Sequence, residues 1–174
     1  MTQKSKPRFP KMTEAQIWEA NRERISEIAK EYPECVGVPL FYFDGKNSFL
    51  SNFEHSPIEL RGFKFENGEA AFQGFKDMSR TAEFESLTPS KAKQLGRQVS
   101  LRPDWEQVKY GVMYEVVYSK FSQNDDLKDK LLATGNRLLV EGNWWNDKIW
   151  GVSRNKGENH LGIILMRVRD ELRN

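Results

Sequence analysis

Residues 67–76 read Asn67-Gly68-Glu69-Ala70-Ala71-Phe72-Gln73-Gly74-Phe75-Lys76, and the rest of the chain is best placed around them. Asn67-Gly68 is a turn signal, and Asn67 suits the N-cap of a following helix. Glu69, Phe72, Gln73 and Lys76 then fall at i, i+3, i+4 and i+7, the spacing of one helical face. That face presents an acid, an amide and an amine beside an aromatic ring. At 1.5 Å per residue, Glu69 and Lys76 stand roughly 10 Å apart along the axis. Helical side chains lean toward the N-terminus, so the amine closes part of the gap, and a sugar-sized group fits between the two charges. The plainer account is also open. A first-turn glutamate complements the helix dipole whatever else it does, and most surface lysines are simply solvated.

Upstream, residues 58–60 and 63–65 flank Arg61-Gly62 as a hairpin. Residues 38–43 read as a strand, and 49–53 as a second one after the turn Asp44-Gly45-Lys46-Asn47. Ser51 and Asn52 sit between Leu50 and Phe53, where they either hold a ligand's hydroxyls or stabilise a turn. Near the start, Thr13 and Gln16 form a capping box. An amphipathic helix carrying Ile17, Trp18, Ile25 and Ile28 follows to about Glu31 and ends at Tyr32-Pro33. Residues 1–11, with Lys4, Lys6, Arg8 and Lys11, read as a mobile basic arm that is either solvated or touches nucleic acid.

Downstream, Thr88-Pro89 opens a helix that closes near Gly96. Arg97 and Arg102 follow in a turn-rich link, as phosphate contacts or as solvated charges. A longer helix starts near Pro103 or Asp104, with Trp105, Val108, Val112, Val116 and Lys120 on one face. Another begins at Asp125 and stops at Gly135. Residues 138–140 form a short strand, 143–151 a loop, and Asn159 caps a final helix. Early strands followed by helices give an α+β fold, read as a basic arm and helix over 1–36 and one compact, helix-rich domain with a small β-sheet over 37–174.

The 174 residues suit a domain with a real core, and the formal charge of +2 demands no polyanionic partner. No apolar run spans a bilayer and no signal pattern opens the chain. The single cysteine, Cys35, excludes an internal disulfide and favours a reducing, cytoplasmic setting. His55 and His160, the two histidines, lie at no ligand spacing, so no metal is expected. Neither a glycine-rich phosphate loop nor a serine elbow is present. What remains is aromatic and acidic. Trp144, Trp145 and Trp150 bracket Asp147, either to stack on a planar ligand or to anchor a loop. An acid on a helix, an acid on a loop, a lysine and stacking rings suit cleavage of a bond between sugar and base. A carboxylate near C1′ stabilises oxocarbenium character there. A second carboxylate activates water, and a desolvated lysine is able to attack C1′ and form an imine.

Taken together, the segments resemble the NADAR proteins, also called YbiA-like N-glycosidases, over about residues 41–169. The likeness rests on Leu50-Ser51-Asn52-Phe53, the Glu69 helix with Phe72-Gln73 and Lys76, residues 92–97 and 105–113, and 131–135. It continues through Leu139-Val140-Glu141, Asn146-Asp147 with Trp150-Gly151, and 157–169. The resemblance implies a compact α+β N-glycosidase needing no cofactor, with Glu69, Lys76 and Asp147 catalytic. It implies Ser51, Asn52, Phe53, Gln73, Trp105, Trp150, Gly151 and Asn159 as substrate-binding. Substrates in the family include ribosylamino-pyrimidine phosphates of early riboflavin synthesis and ADP-ribosylated guanine in nucleic acid; no membrane partner is implied. One departure stands out: Ala70-Ala71 replaces a histidine and an aromatic, which implies a more open pocket beside Glu69. The rival readings are a non-catalytic ADP-ribose or nucleotide-binding module and an interaction protein led by its N-terminal helix.

Overall fold

The computed structural model describes residues 9–174. Most of the basic arm, including Lys4, Lys6 and Arg8, lies outside the described residues. The chain divides into two compact units, Met1–Phe43 with Asn136–Ile163, and Asp44–Gly135 with Ile164–Asn174. The fold is α+β, as the sequence indicates.

The first unit is built on α1 (Glu14–Glu31). Its capping box forms as expected: Gln16 N donates to Thr13 Oγ1 at 3.3 Å, and Thr13 N to Gln16 Oε1 at 2.9 Å. Ile17, Ile25 and Ile28 turn inward, and the buried Asn21 accepts from Asn155 N at 3.3 Å. Arg24 Nε donates to Gly157 O at 2.9 Å, so α1 is stapled to the 155–157 turn. The strand expected over residues 38–43 is reduced to one parallel bridge, Leu40 to Leu139. Val38 is 69% exposed, and β-branching alone does not hold a strand that has so little to pack against. The expected strand over 138–140 is the other half of that bridge. Gly142 allows a close crossing, since a Cβ there would lie 2.4 Å from Phe41 O.

The second unit carries a hairpin, β1 (His55–Leu60) and β2 (Phe63–Asn67), antiparallel with Leu60 opposite Phe63. Arg61 and Gly62 both take positive φ, 52° and 85°, the two-residue turn that matches strand twist. Residues 49–53, expected as a strand, instead end a 3-10 helix (Gly45–Leu50) and enter a turn. Asp44 accepts from Gly45 N at 2.7 Å and starts that helix, so the turn signal there is a cap. Asn67 caps α2 (Gly68–Gly74), with its Oδ1 taking Ala70 N at 2.8 Å. Every residue of α2 is buried. Its glycines and alanines let α3 (Pro89–Gly96) and α4 (Trp105–Gln123) approach closely. Thr88 caps α3 as expected, accepting from Lys91 N at 3.4 Å. Phe65 and Phe75 meet edge to face at 5.7 Å in the core. Next, α5 (Asp125–Ala133) stops at Gly135, whose φ is 62°. Last comes α6 (His160–Leu172), whose residues from Ile164 onward belong to this second unit. Among the described residues, no helix is long and apolar enough to cross a membrane.

Candidate active site

In the second unit, Glu69 occupies the first turn of α2 and is 9% exposed. Its N–H, one of the unsatisfied donors at a helix start, reaches Asn52 O at 3.0 Å. One turn on, Gln73 Nε2 donates to Glu69 Oε1 at 2.8 Å. The amide lies close against α3. A Cβ at Gly96 would lie 2.0 Å from Gln73 Oε1, which is buried without a hydrogen-bond partner among the described residues. The carboxylate is therefore held by a donor that is itself wedged against α3.

Lys76 lies just past the end of α2, beyond its C-cap Phe75. The helix is shorter than the i to i+7 reading supposes, so the amine is not on the face carrying Glu69 by helical periodicity. Its backbone is fixed instead by Arg102 N donating to Lys76 O at 2.7 Å. The Lys76 Nζ sits 6.0 Å from the centre of the Trp105 ring, which packs on Phe72 at 5.2 Å. Burial holds this amine below the ordinary lysine range; Glu69 pulls the other way, while Lys93 and Arg97 add to the lowering. Lys93 Nζ in turn lies 5.7 Å from the ring of Phe53, which is 45% exposed. Ser51 Oγ accepts from Phe53 N at 3.1 Å, and Asn52 Nδ2 points to Met113 Sδ at 3.2 Å. So Ser51, Asn52, Phe53, Glu69, Gln73, Lys76 and Trp105 all lie in the second unit. Ala70 and Ala71, the departure from the family pattern, are 0% exposed. Arg102 is committed to Asp104, at 2.6 and 2.9 Å, and is not a spare phosphate ligand. A separate cleft of about 250 Å³ beside Arg61 and Arg102 holds none of the predicted residues, and Arg61 there is paired in bidentate fashion with Glu115.

The remaining predicted residues lie in the first unit. Asp147 Oδ1 accepts from Ile149 N at 3.1 Å and Trp150 N at 2.9 Å, shaping the turn that presents Trp150. Asn143 clasps the same turn: its Nδ2 donates to Asp147 O at 2.8 Å and its Oδ1 accepts from Asp147 N at 3.0 Å. Gly151 approaches Glu141 O so closely that a Cβ would stand 2.2 Å from it. Asn159 does not cap α6 with its side chain. It is fully buried, accepts from Glu141 N at 3.0 Å and donates to Leu139 O at 3.0 Å. Its backbone, at φ 56°, makes the turn into the helix.

A family model described as the NADAR domain matches residues 40–173. The chain belongs to the NADAR family. It is 49% identical over 134 residues to a protein of Nostoc punctiforme named as an N-glycosidase, covering 72% of this chain and 85% of that one. It is 38% identical over 129 residues to N-glycosidase YbiA of Escherichia coli, covering 71% and 80%. A solved solution structure of the E. coli protein YbiA matches with a TM-score of 0.70 at 33% identity, over 80% of this chain and 89% of that one. With these likenesses, this NADAR chain is an N-glycosidase.

Sequence reasoning missed three residues of this NADAR chain that hold candidate site residues in place, one in the first unit and two in the second. Asn143 and Gly96 act only through contacts that close in three dimensions. Lys120 carried a visible signal: a lysine in line with Trp105, Val112 and Val116, where an apolar residue belongs. It is 1% exposed.

Proposed function

We propose that this N-glycosidase hydrolyses the bond between C1′ of a phosphorylated ribose, free or as part of ADP-ribose, and a nitrogen of a base. The observation that carries the reading is the carboxylate of Glu69, nearly out of solvent, oriented by Gln73 and set at a helix start. A carboxylate so placed stabilises positive charge as it develops at C1′. The exposed Phe53 offers a flat surface for a base, and the buried Trp105 backs the Lys76 amine. Lys93 and Arg97 beside Lys76 suit a substrate with phosphate.

In the direct route, water adds its oxygen to C1′ and the base leaves with a proton. In the covalent route, the lowered amine of Lys76 bonds to C1′, the base departs protonated and the opened sugar remains as an imine, which water hydrolyses. Within the first unit, Asn159 and Gly151 hold the loop that carries Trp150. A riboflavin biosynthesis protein of Vibrio vulnificus is 34% identical over 142 residues, covering 77% of this chain and 38% of that one. We therefore place ribosylamino-pyrimidine phosphates first among free substrates and ADP-ribosylated guanine in nucleic acid second, in a cytoplasmic setting.

The test is base release from a panel of ribosylated substrates, followed by mass. Glu69→Gln is expected to lower kcat by about 10²–10⁴-fold while substrate still binds. An unchanged kcat removes Glu69 from the chemistry, and no release from any substrate favours a binding module. Borohydride during turnover separates the routes, since only the covalent one leaves a substrate adduct on Lys76.

A further inference from the structure

The Lys120 amine is withdrawn from solvent in α4 and ends 2.8 Å from the carbonyl oxygen of Ser51. That oxygen also accepts from Glu54 N at 3.2 Å. The next carbonyl along the chain, that of Asn52, accepts from the N–H of Glu69. Two consecutive peptide units are thus anchored on opposite sides, one by α4 and one by the first turn of α2. Nothing in core packing calls for an amine here. A methionine fills similar volume without the penalty of desolvating a charge, and that penalty is steep for a fully enclosed ammonium. The Glu54 carboxylate partly offsets it, and the Phe121 ring lies 5.0 Å from the amine. A residue that costs stability at its own position and spends its hydrogen bond on a loop carbonyl is explained by what the loop does.

We infer that Lys120 is a positioning residue: by holding the Ser51 carbonyl it fixes the Ser51–Asn52 backbone, and through the Asn52 carbonyl it sets where Glu69 stands. This rests on the proposed role of Glu69. Lys120 touches no reacting atom. It acts through two hydrogen bonds in series, and the same strand of loop carries Phe53 to the rim. Loss of the amine leaves the Ser51 carbonyl held only by the longer bond from Glu54 N, and the loop relaxes away from α2.

The experiment compares the full-length wild type with Lys120→Met, which keeps the volume, and Lys120→Gln, which keeps an uncharged donor. Amide hydrogen exchange is read residue by residue by NMR. In Lys120→Met, exchange at Glu69 is expected to rise about tenfold or more, the scale of one lost charge-assisted bond. Exchange at Ala70, whose N–H is held by Asn67 Oδ1, changes by less than about twofold by the same reasoning. Turnover is expected to lose about tenfold in kcat with KM within about threefold, Lys120→Gln falling between the two. A general loosening would raise exchange along all of α2, and that result overturns the inference, as does an unchanged Glu69 amide. If Lys120→Met does not fold, Lys120→Gln carries the same measurements. The exchange result does not depend on activity. Faster Glu69 exchange together with a Glu69→Gln variant whose kcat is unchanged would keep the latch and sink the catalytic reading.

Discussion

Replacing Lys120 by methionine removes a titrating group whose folded and unfolded states differ sharply. Burial pushes the amine from the usual 10.5 down to about 7. In an unfolded chain it returns to the ordinary value, so between these two pH values the unfolded state binds the extra proton. Stability therefore rises with pH across that window, and the penalty is largest below it. Each pH unit is worth about 1.4 kcal/mol, so the two units from 7 to 9 supply about 3 kcal/mol. Little is added between pH 6 and 7, where both states hold the proton. Urea unfolding of wild type and Lys120→Met at pH 6 and pH 9 isolates this term. The variant also loses a hydrogen bond and changes packing, but those effects are nearly independent of pH and cancel in the double difference. Tryptophan fluorescence and far-ultraviolet dichroism must give coincident transitions for a single free energy to be defined. The stability of wild type relative to the variant should climb by about 3 kcal/mol from pH 6 to pH 9. A double difference below about 0.5 kcal/mol would mean that the amine titrates normally in the folded protein, contrary to its burial.

Gly96→Ala drives a methyl into the Gln73 amide; it should cost about 1–3 kcal/mol of stability. It should also lower kcat by freeing Glu69, as read by urea unfolding and base release. Asn67→Ala removes both the cap bond to Ala70 N and the bond to Leu87 O; a loss of about 2 kcal/mol is expected in thermal or urea unfolding. Asn143→Ala unclasps the Asp147 turn; limited proteolysis should then cut within residues 144–150, with stability down by about 2–3 kcal/mol.

Local chemistry was readable wherever a few neighbouring residues decide the outcome. The Thr13, Asn67 and Thr88 caps, the Arg61-Gly62 turn and the Gly135 stop all depend on side chains within four positions, and each forms as the sequence indicates. The pairing of Glu69 with Gln73 is likewise an i to i+4 relation inside one helix. Legibility ended where the partner is remote. Residues 38–43 look like a strand because β-branched and aromatic residues cluster there, yet a strand needs a neighbour. Here that neighbour is a single bridge to Leu139. Residues 49–53 follow a turn signal, but Asp44 uses it to start a 3-10 helix. Asn159 resembles a cap by position, while its side chain is claimed by backbone 18 and 20 residues earlier. The Lys120 anchor spans 69 residues of sequence and shows in the sequence only as a charge out of place.

The second helix has no free face: all seven of its residues are packed, several against atoms that a larger side chain would strike. A side chain added at Gly68 or Gly74 would need its neighbours to give way, since a Cβ there would lie 3.0 Å from Asn52 Oδ1 or 3.2 Å from Phe84 Cβ. Change is cheapest at border positions such as Phe53 and Arg97, where solvent leaves slack for a side chain of another size.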